Sequence, residues 1–163
     1  MTSPGVLDIR AIVTAARDEA RALGSSRIEA EHLLLALAAR PRSSAGQVLN
    51  AAGLDPAAIR EALDLEFARS LGAVGISLHG FALPDARLSV LGALPLGRSA
   101  KLVLQRAIKA RTGRSRGRPL DSLHVLIGVL SADGGTVMRA LDLAQVDRGA
   151  LLAKAQGGLE RAA

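Results

Sequence analysis

The residues most able to do chemistry in this chain stand at the head of two apolar runs. Glu31 and His32 open Glu31-His32-Leu33-Leu34-Leu35-Ala36-Leu37, and His124 opens Leu123-His124-Val125-Leu126-Ile127-Gly128-Val129. A histidine beside a carboxylate can ligate a metal or act as a base. Glu31 alone can accept a guanidinium, or it can simply occupy a helix's first turn, where the dipole favours negative charge. The surroundings argue against metal or base chemistry. There is no cysteine, and no carboxylate recurs beside His124. Both histidines lead straight into aliphatic segments, so the plainer reading is a satisfied side chain that fixes a helix start. His79 has no nucleophile near it, and no serine stands in a glycine-x-serine-x-glycine elbow. Gly72 and Gly75 read as turns, and no glycine-x4-glycine-lysine-Ser/Thr loop is present to cradle nucleotide phosphates. No catalytic residue, metal or cofactor is expected, and the chain is not expected to be an enzyme.

The second chemical feature is electrostatic. Residues 1–97 carry nine arginines against ten acids, whereas residues 98–163 carry twelve basic residues against five acids. Most of the excess runs from Arg98 through Lys101, Arg106, Lys109, Arg111, Arg114, Arg116 and Arg118 with no acid among them. Two readings stand: a solvated helix face followed by a basic loop, or a patch at 98–118 for an acidic partner. Nucleic acid is disfavoured. The chain has neither Trp nor Tyr to stack on bases, and no separate recognition helix emerges.

The elements that must position these residues are helices. With Phe67 and Phe81 as the only aromatics, the core of this 163-residue chain is aliphatic and rich in Ala, which favours helix over strand. The interval from His32 to His124 is 92 positions, and the surrounding pattern repeats with it. Apolar residues at Ile9, Ile12, Val13, Ala16, Ala20 and Leu23 mark an amphipathic helix ended by Gly24. The Glu31 helix is apolar nearly all round, so it belongs inside a bundle. Ser43-Ser44 caps a short third helix that ends at Gly53. Asp55 and Pro56 start a fourth that carries Ile59, Leu63 and Phe67 inward.

Five glycines and two prolines punctuate residues 68–97, which read as an inter-repeat connection with a short helix near Asp85–Leu91. A fifth helix over Ser99–Ala110 then restarts the pattern. Asp121 or Ser122 caps the second His helix, where the first copy has Glu29 and Ala30, a poorer cap by roughly 1 kcal/mol. The last helix, about Asp147 to Gln156, places Leu151-Leu152 where the first copy has Ala62-Leu63. The expected architecture is all-α: one domain over 1–163, with repeat 1 at 8–67, a linker at 68–97 and repeat 2 at 98–158. The N-terminus lacks the charge and apolar pattern of a signal peptide, and no apolar run approaches the roughly 20 residues that span a bilayer. A soluble cytoplasmic protein without membrane contact is expected.

These residues resemble a known family. Residues 16–24 (Ala-Arg-Asp-Glu-Ala-Arg-Ala-Leu-Gly), Ile28, the Glu31–Leu37 motif, Leu94-Pro95 and Ala100-Lys101 resemble the Clp N-terminal (Clp repeat) domain of the ClpA and ClpC unfoldases, whose hallmark is threonine-glutamate-histidine followed by leucines. The resemblance implies two pseudo-symmetric four-helix units in one compact domain. In that family the domain is a docking platform that receives adaptors and substrates for an ATPase ring. Without a nucleotide loop, this chain looks like a free-standing Clp N-domain that binds family ligands and unfolds nothing itself.

The same resemblance implies a ligand. ClpC-type N-domains bind phosphorylated arginine at two related sites, the motif glutamate accepting the guanidinium. Glu31 stands at that place in the first repeat and Leu123 in the second, so at most one such site is expected. The family's capping threonine is Ala30 here. Leu96 follows Pro95 where the family has an aromatic for hydrophobic cyclic peptides. The expected function is a non-catalytic protein-interaction module of the Clp system: an adaptor, decoy or sequestering partner for substrate, adaptor or degron peptides, arginine- or phosphoarginine-bearing ones among them.

Overall fold

Ile12, Ala16 and Ala20 fall on one face of the first helix, and that stripe is the first piece of a core shared by both halves of the chain. In this computed structural model, which describes residues 9–76, 93–111 and 119–162, eight helices follow one another. They are α1 (Ile9–Ala22), α2 (Ala30–Ala38), α3 (Ser44–Ala51), α4 (Pro56–Ala73), α5 (Arg98–Ala110), α6 (Ser122–Leu130), α7 (Thr136–Leu143) and α8 (Arg148–Ala162). The fold is all-α, two pseudo-symmetric sets of four helices, as the repeat implied.

The two His helices form the centre. Every residue of α2 from His32 to Ala38 is buried, as is the whole of α6. Leu33, Leu34, Leu35 and Leu37 are almost completely excluded from solvent, each contributing about 2 kcal/mol of burial. α1 packs on α2, α5 on α6, and α2 touches α6 across the pseudo-two-fold axis. The outer helices span the repeats unequally: α4 packs chiefly on α7 of the other set, while α8 covers α6 of its own and reaches α3.

Helix ends repeat at the 92-residue interval. Asp55 caps α4 by accepting from Ala58 N–H at 2.8 Å, and Asp147 caps α8 by accepting from Ala150 N–H at 2.9 Å. α3 ends in a left-handed Gly53 (φ 74°), α7 in Gln145 at the same place with φ 56°. In both, the next N–H reaches back to a helical carbonyl, Leu54 to Leu49 at 2.9 Å and Val146 to Leu141 at 3.0 Å.

Several expectations are corrected. The matched caps pair Leu151 with Ile59, not Leu151-Leu152 with Ala62-Leu63, a difference of three residues in register. Residues 68–73 are not connection but the last turns of α4, which ends only where Gly75 turns left-handed, and α8 runs to Ala162 rather than Gln156. Phe67 is 48% exposed, whereas Glu66 beside it is 4% exposed. Ile59, Ala62 and Glu66 share the inward stripe, and one further residue turns Phe67 about 100° away. The short helix expected near Asp85–Leu91 lies outside the described residues.

Before α2 and α5 the backbone makes one parallel bridge, Ile28 to Leu96. Ile28 N–H donates to Pro95 C=O at 2.9 Å and Gly97 N–H to Ile28 C=O at 2.8 Å. The bridge ties the entry of repeat 1's central helix to the entry of repeat 2's first helix. No helix among the described residues is long and apolar enough to cross a membrane.

Candidate functional site

Where the N-termini of α2 and α5 meet the loop before α7, both repeats line a cleft of about 470 Å³. Glu29 and Glu31 enter it from α2, Arg98, Leu102 and Arg106 from α5, and Thr136 from α7. Carboxylates and guanidiniums thus face one space, above an apolar step.

Glu29 occupies the N-cap position of α2, where it forms a capping box with His32, and its carboxylate also reaches across to α5. It accepts from the Ser99 N–H at 3.1 Å and from the Ser99 hydroxyl, while Ser99 Oγ in turn accepts from Ala30 N–H at 2.8 Å. The carboxylate fills the space beside Gly97 that any side chain there would need. One glutamate of repeat 1 therefore caps the first helix of repeat 2, and a serine of repeat 2 returns the bond. Glu29 is a weak cap by residue type, and the partners of its carboxylate lie 70 residues along the chain.

Glu31 lies in the first turn of α2, half-buried. Burial pushes its carboxyl above the usual range. Its own N–H opposes that shift, and the charges of Glu29 and Glu66 reinforce it. A carboxylate held in this condition gains from any cation brought against it.

The two histidines occupy matching buried places and make different bonds. His32 Nδ1 accepts the Glu29 N–H at 2.9 Å, which fixes the neutral Nε2–H tautomer. Burial lowers its pKa, against the raising influence of Glu29 and Glu19. His124 Nδ1 lies 2.8 Å from Asp121 Oδ1 and 3.2 Å from Asp121 N, and its Nε2 is buried without a hydrogen-bond partner. The tautomer decides whether this Nδ1 donates to the carboxylate or accepts from the amide. Asp121 Oδ1 also accepts from Leu123 N–H at 3.0 Å and His124 N–H at 3.2 Å. Burial would raise the Asp121 carboxyl, but these bonds and the His124 ring outweigh it and hold the pKa below the usual range. Among the described residues no group of three or more His, Asp or Glu side chains could hold a metal ion.

The basic run divides. Arg98 and Arg106 line the cleft with Glu31, whereas Lys109 is exposed on α5 outside it and Arg111 is half-buried at the helix end. Arg114, Arg116 and Arg118 lie outside the described residues.

A second feature had no counterpart in the sequence reading. Between α4 and α7, Glu66 Oε1 accepts from Arg139 Nε at 2.6 Å and from Ser70 Oγ at 2.7 Å. Burial alone would raise the Glu66 carboxyl; the bonds from Ser70 and Arg139 and the Arg139 charge bring it below the usual range. The ion pair stands in a groove of about 480 Å³ that also presents Arg69 and Asp142.

The comparisons agree with this architecture. The Clp repeat (R) N-terminal domain family matches residues 8–118. Among solved structures, the N-terminal domain of the chaperone ClpD from Arabidopsis thaliana superposes with a TM-score of 0.66 at 20% identity, covering 96% of this chain and 95% of that one. The Hsp104 N-terminal domain from Candida albicans superposes at 0.60 with 13% identity, covering 94% and 89%. At these identities the structures speak for the fold alone. No curated protein matches the chain.

Proposed function

Because the chain belongs to the Clp repeat N-terminal domain family, whose members are interaction modules of Clp chaperones, we propose that it is a non-catalytic docking module for substrate, adaptor or degron peptides of a Clp unfoldase. It would act as adaptor, decoy or sequestering partner. The observation that carries the reading is the mixed-charge cleft: Glu31, destabilised as an anion by burial, shares it with Arg98 and Arg106. That combination suits a phosphorylated arginine side chain, whose guanidinium seeks a carboxylate and whose phosphoryl group seeks arginines. In the second repeat Leu123 stands at the place of Glu31, so the ligand is expected at one site.

Titration calorimetry with free phosphoarginine and free arginine tests this. Glu31→Ala is expected to weaken both by at least about tenfold, or about 1.4 kcal/mol. Arg106→Ala is expected to weaken phosphoarginine far more than arginine. Because the Glu31 carboxyl is raised, binding of the guanidinium should release a proton near and above the ordinary glutamate range and should weaken as pH falls through it. Equal affinities for parent and Glu31→Ala would remove the assignment.

A further inference from the structure

Carried across the pseudo-two-fold axis, the α4/α7 groove falls on a groove between α8 and α3 of about 390 Å³ with a different character. The 92-residue interval pairs Glu66 with Gly158, Arg139 with Gln47, Ala62 with Lys154 and Arg69 with Arg161. The ion pair that occupies the first groove has thus been deleted from the second, at both partners. Arg161 repeats Arg69, and Lys154 adds a cation where the first groove has Ala62.

We propose that the α8/α3 groove binds an acidic peptide segment in extended conformation. Lys154 and Arg161 line one wall, Ser44 and Gln47 the other, and Leu123 with Gly158 the floor. None of the lining side chains is acidic, and neither cation makes a hydrogen bond or ion pair with another described residue. The counter-charge that Glu66 supplies to Arg139 must here come from outside. Lys154 and Arg161 are seven positions apart on α8, about 10 Å along one helix face. An extended peptide presents same-side residues about 6.7 Å apart, so two carboxylates at alternate positions reach both cations through their long stems. A single small anion spans much less than that separation. Gly158 lets α8 lie close on Leu123 between the two cations, since a methyl group at this position would meet the Leu123 side chain at 3.2 Å. The groove is separate from the Glu31 cleft and shares no lining residue with it.

The test is fluorescence polarisation of the full chain with a labelled hexapeptide of alternating Glu and Ala. Binding is expected to fall at least tenfold in Lys154→Gln/Arg161→Gln and at least threefold in Gln47→Glu, which places a carboxylate on the exposed opposite wall. Lys101→Gln/Lys109→Gln, an equal change of charge on the exposed face of α5, should alter it less than twofold, and Glu31→Ala should leave it unchanged. Should the α8 double variant lose its helical circular dichroism, the Gln47→Glu result decides. No binding by the parent, an equal loss in the α5 variant, or competition by inorganic phosphate at the peptide's own concentration would each overturn the proposal.

Discussion

At the start of α6 every capping bond is local: Asp121 accepts from the first amides of its own helix and holds the His124 ring. At the start of α2 the equivalent Glu29 shares its carboxylate with α5, across the repeats, while His32 reaches back to the Glu29 amide. Both histidines set Nδ1 against the N-cap amide, but only His124 also meets the N-cap carboxylate. One extra methylene in the N-cap carboxylate separates a closed helix start from a joint between repeats. Repeat 1 also keeps Glu31 and Glu66 where repeat 2 has Leu123 and Gly158, and repeat 2 supplies Arg139 to Glu66 where repeat 1 has Gln47. Duplicated geometry has been kept while the charges on it have been redistributed.

The largest expected break in the symmetry lies at the crossing of α5 and α6. Gly128 packs directly against the Val103 carbonyl, and its counterpart Ala36 is a fully buried alanine at the α1/α2 crossing. Gly128→Ala is expected to destabilise by about 3 kcal/mol through overpacking, whereas Ala36→Gly should cost about 1 kcal/mol; urea unfolding of both measures the gap. Next, Arg139→Ala leaves the buried Glu66 with Ser70 only and should cost about 2 kcal/mol, a figure reduced for the exposure of Arg139. Gln47→Ala, the same change in the other groove, should stay within about 0.5 kcal/mol.

A double-mutant cycle sharpens the comparison of caps. Glu29→Ala with Ser99→Ala should show a coupling of about 1 kcal/mol, and Asp121→Ala with Ser99→Ala none. Gln145→Gly should stabilise by about 0.5 kcal/mol by relieving the left-handed backbone that Gly53 already accommodates; a rise in thermal midpoint checks it. The smallest effect is in pH. The lowered pKa of His32 means that the unfolded chain binds more protons below about pH 6.5, so stability is full above that value and declines as pH falls through it. His32→Asn, which keeps an acceptor for the Glu29 N–H, should flatten the profile between pH 7 and 5.

The helices and their repeat were legible because they rest on local signals: periodic apolar residues, Asp and Ser caps, and glycines that end α1 and α3. The register of α8 was misread by matching a Leu-Leu pair to Ala-Leu when the Asp caps were the better anchor. Glu66 stayed hidden because a charge between Leu65 and Phe67 reads as an outward residue. Only the position of α7, 73 residues on, turns it into a partner for Arg139. Glu31 was found from its motif, yet Arg98 and Arg106 appeared as members of a basic run, since nothing in their own neighbourhood shows that they line the same cleft. The Glu29–Ser99 bonds span 70 residues and carry no short-range signature.

The reach of the outer helices bears on ancestry. With α4 lying chiefly on α7 and α8 spanning both α6 and α3, each last helix bridges its own set and the other. A chain holding one set would present an uncovered third helix and a fourth supported on one side alone, and two such chains could complete each other by trading arms about a two-fold axis. Duplication and fusion of that gene would join two halves of a homodimer. From then on each half was free to lose a charge that the other kept.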